Sequence, residues 1–262
     1  MRLMTFLSDF GNNSSYVSQM KGIALNMTDA TLIDITHNVS PHNIREGAFV
    51  LKTSVPYFPT GTVHVAVVDP GVGTARRGIV VATKTQILVG PDNGLLIPAA
   101  RELGNFQVYE IKNPGILSNS ISNTFHGRDV FTPVAAHILN GLYFRDIGPM
   151  IKDYVDLHFG TYEITPQTAT GNVIYIDSFG NIITNIHGYR ISNFLQYGKK
   201  LMLFIGDKQV EASFVRSYSY VNKGDFLTTI GSSNHLEISV NQGNAGNMLN
   251  VKPGDELKIL LG

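Results

Sequence analysis

The sequence predicts an α/β N-terminal domain built on a doubly wound sheet, followed by a smaller all-β C-terminal domain of barrel or sandwich type. Three observations carry that expectation. Apolar strand segments alternate with helix-period segments through the N-terminal part, the pattern of βαβ units. The segment 63–68 is close to continuously apolar rather than alternating, as a parallel strand covered on both faces requires. Beyond residue 171 the helical period gives way to short strands separated by turn residues. The expected organisation is an α/β domain over 1–160, a linker over 161–170 within a stretch from about Lys152 to Gly171 where period is lost and Gly160, Pro166, Gly171 and several Thr gather, and a β-rich domain over 171–262.

In order, residues 3–7 read as the first strand, which ends in Ser8-Asp-Phe-Gly11. Asn12 to Ser15 offers capping side chains to a helix whose Tyr16, Val17, Met20, Ile23, Ala24 and Met27 recur at i, i+3/i+4. Residues 31–36 form a second strand, and Asn43 caps a helix with Ile44, Ala48, Leu51 and Val55 on one face before Pro56 stops it. Strands follow at 63–68, 78–82 and 86–89, then a helix over 95–103 and a strand over 106–111. The turn Gly90-Pro-Asp-Asn-Gly94 is expected to face solvent. A further helix, capped by Asp129, runs from Val130 to Gly141. In the C-terminal part, strands are expected at 172–177, 182–186, 201–205, 210–215, 226–230, 236–240 and 256–261.

Composition narrows the function. Twenty basic residues balance twenty acidic ones, so no global field draws the chain to nucleic acid or an anionic membrane, and the expected partner is a small molecule. The absence of cysteine removes disulfides, thiolate nucleophiles and sulfur metal sites, and fits a cytoplasmic location. No apolar run approaches the ~18 residues of a membrane span, and the N-terminus lacks the apolar core of a signal peptide. Gly71-Val-Gly-Thr-Ala-Arg76 begins like a dinucleotide fingerprint but has Arg at the third glycine position and no helix after it. No phosphate loop, Gly-x-Ser-x-Gly elbow or His-Glu-x-x-His helix is present. Asp69, Asp92, His126 and Asp129 could in principle ligate a metal, but no two have ligand spacing on one element, so no metal or other cofactor is expected.

Two stretches carry candidate chemistry. In the first, an apolar strand runs into Asp69, and Pro70-Gly71 with Gly73 turns the chain so that Arg76 or Arg77 returns beside that carboxylate. The pair is either the rim of a ligand crevice at a strand's C-terminal end or an ion pair that pins a turn. In the second, Asp177, Asn181, Thr184 and Asn185 surround a Phe-Gly corner, where they satisfy one another or face a small polar ligand. Gly231-Ser-Ser-Asn234 and Asn241-Gln-Gly-Asn-Ala-Gly-Asn247 flank the strand at 236–240, as hairpin turns or as loops offering bare backbone groups to a heterocycle or carboxylate.

Taken together, Ser8-Asp-Phe-Gly11, Val68-Asp-Pro-Gly-Val-Gly-Thr-Ala-Arg76, Gly90-Pro-Asp-Asn-Gly94, Thr124-Phe-His-Gly-Arg-Asp129 and Asp177-Ser-Phe-Gly-Asn-Ile-Ile-Thr-Asn185 resemble one family over nearly the whole chain. It is the S-adenosyl-L-methionine hydroxide adenosyltransferases, relatives of the bacterial fluorinase and chlorinase. The resemblance implies hydrolysis of S-adenosyl-L-methionine to adenosine and L-methionine by an activated water, without a cofactor. It also implies a homotrimer with ligand between subunits. The family's water-activating residues fall on Asp69, Arg76 and His126, its ribose-binding aspartate on Asp9, and its methionine contacts on Asp177, Asn181 and Ser233. The adenine-side loop matches Asn241 to Ala245. The halogenating branch has tyrosine where Asp69 stands and serine where Gly127 stands, and both differences point to water; its arginine after the C-terminal serine is Asn234 here. The competing expectations are a non-catalytic protein that binds adenosine or S-adenosylmethionine, and a halide-using 5′-halo-5′-deoxyadenosine synthase.

Overall fold

The computed structural model describes residues 2–261, and the chain divides into two compact units, Met1–His158 and Phe159–Gly262. In the first, β1 (Leu3–Ser8), α1 (Tyr16–Met27), β2 (Thr31–Thr36), α2 (Ile44–Ser54) and β3 (Val63–Val67) follow the expected β-α-β-α-β order. After them come β4 (Gly78–Thr83), β5 (Ile87–Pro91), α3 (Ile97–Glu102), β6 (Phe106–Glu110), α4 (Thr132–Leu139) and β7 (Met150–Ile151). Asn43 caps α2 as its sequence position suggests, its side chain accepting the Glu46 N–H.

These strands form one seven-stranded sheet in the order β2-β1-β3-β5-β4-β6-β7. Both faces are covered. Met20 and Ala24 of α1 and Val134 to Ala136 of α4 join Met4, Phe6, Val65 and Val67 in one core. On the opposite face a side chain at Gly47 of α2 would press on Leu7, Val68 and Leu95. The expected parallel sheet needs correction, because only the pairings among β2, β1, β3 and β5 are parallel, while β4 runs against both its neighbours β5 and β6, and β7 runs against β6. The cause is connection length: β4 and β5 are joined by a tight loop closed by Thr83 N–H to Gln86 C=O, which admits a hairpin but no crossover.

The second unit contains β8 (Glu163–Ile164), β9 (Thr168–Ile176), β10 (Ile182–His187), α5 (Gly188–Ile191), β11 (Lys200–Ile205) and β12 (Lys208–Phe214). β13 (Phe226–Ile230), β14 (His235–Val240), α6 (Ala245–Leu249) and β15 (Glu256–Leu260) complete it. The strands run β10-β14-β13-β12-β11-β15-β9-β8, and β10 also pairs with β9, which closes seven of them into a barrel. Its interior holds Val173, Ile182, Leu203, Phe214, Ile238 and Ile259. The expected linker over 161–170 is in part sheet, since β8 and the first residues of β9 pair with each other there. A threonine-rich stretch without period suits an edge pairing, which leaves little hydrophobic signature. Among the described residues no helix is long and apolar enough to cross a membrane.

Candidate active site

The register of the parallel strands sets the rim of the first unit. Ser8 at the end of β1 lies opposite Val67 at the end of β3, so Asp9 and Asp69 emerge one and two residues beyond that pairing on the same C-terminal edge of the sheet. Such edges are where open α/β sheets bind ligands. After Asp69 the chain doubles back through two turns, Val72 N–H to Asp69 C=O and Thr74 N–H to Gly71 C=O, and returns Arg76 to the carboxylate.

Arg76 Nε donates to both Asp69 oxygens at 3.0 Å, and Nη2 donates to Oδ2 at 2.5 Å. The same Nη2 lies 2.7 Å from His126 Nδ1. Asp69, Arg76 and His126, separated by up to 57 positions in the chain, therefore meet around one guanidinium. Arg76 also lies over the face of the buried Phe131, 5.2 Å from its centroid, which fixes the plane of the fork. The ion pair is largely withdrawn from water, with side chains 5% exposed at Asp69 and 12% at Arg76.

This geometry sets a protonation state. A guanidinium donates hydrogen bonds and accepts none, so Nδ1 of His126 must accept, and the imidazole is neutral with its proton on Nε2. Burial is the main cause that pushes the His126 pKa below its ordinary 6.5, followed by the Arg76 charge, against the opposing pull of Asp69 and Asp129. The neutral form present above 6.5 thus persists below that value, and acidification protonates Nδ1 and breaks the contact with Arg76. Activity is accordingly expected to fall on the acid side with an apparent pKa below 6.5. A pH profile of kcat/KM whose acid limb lies above 6.5 contradicts this protonation state.

The segment that delivers His126 is unusual. Gly127–Phe131 forms a π-helical turn ahead of α4, a feature often found at functional sites. Asp129, expected as the cap of α4, instead lies inside this turn. It accepts the Ser122 N–H at 2.8 Å and pairs with Arg128, which also reaches Gln19. Gly127 is buried where a side-chain carbon would touch Met20 Sδ at 3.2 Å. Gly73 ties the two loops together: its φ is +76°, and a Cβ there would stand 2.2 Å from the Asn123 carbonyl oxygen. Gly73→Ala should therefore force the Asp69–Arg76 turn away from the His126 segment, lowering both melting temperature and kcat. Wild-type kcat in Gly73→Ala would show that this close approach is unnecessary.

Arg77 turns the other way and binds Asp92 and Asp153, while Asp92 accepts the Val155 N–H. The expected solvent-facing turn is thus a buried one: Asp92 is 6% exposed, and Asn93 donates to the Val68 carbonyl just before Asp69. The charged partner Arg77 and the nearby strand end supply what solvent would have. Asp9 is half-buried, its Oδ2 accepting the His42 N–H at 2.9 Å.

The second unit gathers the other residues. Asp177 and Asn181 meet in the turn between β9 and β10, where Asp177 Oδ1 accepts the Phe179 and Asn181 N–H groups and Oδ2 accepts Asn181 Nδ2, each at 2.9 Å. That turn rests on the loop leading into α6, with Gly246 N–H donating to Gly180 C=O and Asn244 packed where a side chain at Gly180 would stand. Ala245 is buried at the start of α6, and Asn241 is held by Val221 C=O at 2.8 Å. Ser233 is half-buried in the turn that ends at Asn234, whose φ is +57°.

Sequence reading passed over Tyr218 and Glu237. Glu237 is 6% exposed and accepts from Tyr218 Oη at 2.7 Å and Ser239 Oγ at 2.8 Å, and its other oxygen abuts Gly231. Burial, then the Glu237 hydrogen bond, pushes the Tyr218 phenol above its ordinary range, so it stays protonated and donates. The one available signal was a carboxylate in the middle of an apolar strand. Among the described residues no three His, Asp or Glu side chains converge as a metal cage.

Family models describe the SAM hydroxide adenosyltransferase N-terminal domain over residues 4–148 and its C-terminal domain over residues 171–258. The chain is 40% identical over 98% of its length to a protein of Methanocaldococcus jannaschii named (R)-S-adenosyl-L-methionine hydrolase, covering 95% of that protein. A protein of the same name from Thermus thermophilus is 34% identical, over 99% of this chain and all of the relative. A fluorinase of Nocardia brasiliensis is 25% identical over 99% of this chain and 97% of its own. The solved structure of an uncharacterized conserved protein from Thermotoga maritima superposes with a TM-score of 0.92 at 37% identity, covering 98% of this chain and 99% of that one.

Proposed function

The chain belongs to the SAM hydroxide adenosyltransferase family, and from that membership we infer that it hydrolyses S-adenosyl-L-methionine to adenosine and L-methionine. The observation that carries the chemistry is the single guanidinium shared by Asp69 and His126. In this reading a water sits between them, accepting from His126 Nε2–H and donating to Asp69. Its oxygen attacks C5′ while the C5′–S bond breaks, and the electron pair of that bond neutralises the sulfonium. Methionine leaves as a thioether and needs no general acid. As the C–O bond forms, the oxygen becomes positive and surrenders its proton, so even a carboxylate held by arginine suffices as acceptor. His126, already protonated at Nε2, acts as the donor that aligns the nucleophile, and Asp69 as the base. The proton then passes to solvent.

Asp9 is assigned the ribose hydroxyls, Asp177, Asn181 and Ser233 the methionine end, and the loop from Asn241 to Ala245 the adenine side. Three hydrogen bonds within its own turn leave Asp177 Oδ2 with acceptor capacity for an ammonium group. The relatives' names support the R configuration at sulfur. The full reading is a cytoplasmic homotrimer with ligand between subunits, and light scattering that finds an active monomer overturns that assembly.

The deciding assay incubates purified protein, without added metal, with each sulfonium epimer and separates products by chromatography. Adenosine and methionine in equal amounts are expected. Tight binding by calorimetry with no product favours a binding protein instead. A 5′-chloro-5′-deoxyadenosine product at high chloride favours the halide reaction.

A further inference from the structure

β1 and β2 pair in register from Leu3 and Thr31 to Phe6 and Asp34, then slip, so that Leu7 pairs with Thr36 past Ile35. Slips of this kind cluster near functional sites, because they re-aim the side chains beyond them. Past this one, the backbone contacts between the two strand ends are Val39 N–H to Ser8 C=O at 3.4 Å and Gly11 N–H to His37 C=O at 2.7 Å. Side chains take over the work of the ladder.

Ser8 Oγ lies 2.7 Å from His37 Nδ1, with Ser8 fully buried and His37 4% exposed. On its other side His37 Nε2 stands 3.1 Å from Asp34 Oδ1, too obliquely for a hydrogen bond, and Asp34 Oδ2 is held at 2.6 Å by Lys21 of α1. Facing a carboxylate, Nε2 carries the ring proton, which leaves Nδ1 to accept from the Ser8 hydroxyl. That hydroxyl oxygen in turn accepts the Phe10 N–H at 3.3 Å. A chain of contacts therefore runs from α1 through Asp34, His37 and Ser8 to the peptide immediately after Asp9. The segment after His37 carries His42, at φ +65°, whose N–H donates to Asp9 Oδ2.

We propose that Ser8 and His37 form a buried clip that positions the Asp9 carboxylate, making both of them positioning residues for the substrate end that Asp9 receives. The proposal rests on the reading of Asp9 as a substrate-binding residue. The clip grips the chain on both sides of the carboxylate: at Ser8 and Phe10 through the hydroxyl, and at His42 through the loop that His37 anchors. Buried polar groups add little net stability over apolar side chains of similar shape, so their presence at this root is best explained by the direction they impose.

The test compares Ser8→Ala and His37→Leu with His37→Asn, which keeps a polar group at the Nδ1 position, and with Asp9→Ala as reference. Loss of the clip is expected to raise KM and the calorimetric Kd for S-adenosylmethionine about five- to fifty-fold, with kcat within about threefold of wild type. Amide exchange at Gly11 and His42 should quicken in the same variants, and His37→Asn should recover most of both effects. Unchanged exchange at those amides overturns the clip, as does an unchanged KM in Ser8→Ala and His37→Leu where Asp9→Ala raises it. If Asp9→Ala itself leaves KM unaltered, the substrate role of Asp9 falls, and the exchange result alone decides the clip.

Discussion

Asp69→Asn is expected to lower kcat by about 10²–10⁴-fold with KM nearly unchanged. The substitution conserves shape but replaces a carboxylate oxygen with an NH₂, itself a donor that cannot accept from Arg76, where three N–H···O contacts now converge. It removes the proton acceptor and loosens the guanidinium that aligns His126. Melting temperature should fall as well, because breaking a largely buried ion pair leaves Arg76 under-compensated. The discriminating quantity is therefore kcat per folded molecule, measured beside the melting curve on one preparation. A lowered melting point with wild-type kcat would return Asp69 and Arg76 to the role of a turn-pinning ion pair.

The second large effect concerns how the three groups act together. Arg76→Ala and His126→Ala should each lower kcat by about 10²–10³-fold, and the double variant should be hardly slower than the worse single one. Arg76 Nη2 is the atom common to both contacts, so removing Arg76 already frees His126 to turn. Arg76→Lys is expected to behave like Arg76→Ala, since one ammonium cannot reproduce a fork that engages a carboxylate twice and an imidazole once. Effects that multiply fully in the double variant would mean that Arg76 and His126 act independently.

How much of this was legible in the chain depended on range. Helix period, continuous apolar strands and turn residues are local signals, and they placed β1, α1, β2, α2 and β3 with the Asn43 cap in the right order. The return of an arginine to Asp69 followed from Pro70, Gly71 and Gly73, although composition alone left Arg76 and Arg77 equivalent. The tertiary contacts then sent one to His126 and the other to Asp92. The antiparallel half of the first sheet and the buried Asp92 turn were not legible, because both depend on which distant strand lies alongside.

By itself, then, the sequence determined the class of each half, the residue types at the strand ends and the family they resemble. The tertiary structure decided that one guanidinium joins Asp69 to His126, that Asp129 sits inside a π-helical turn instead of capping a helix, and that β9 and β10 close a barrel. It also revealed that Tyr218 and Glu237 meet. The physical reason is the same throughout: periodicity and turn chemistry act between neighbours in the chain, whereas strand order, burial of charge and tautomer are set by contacts that exist only once remote segments have packed.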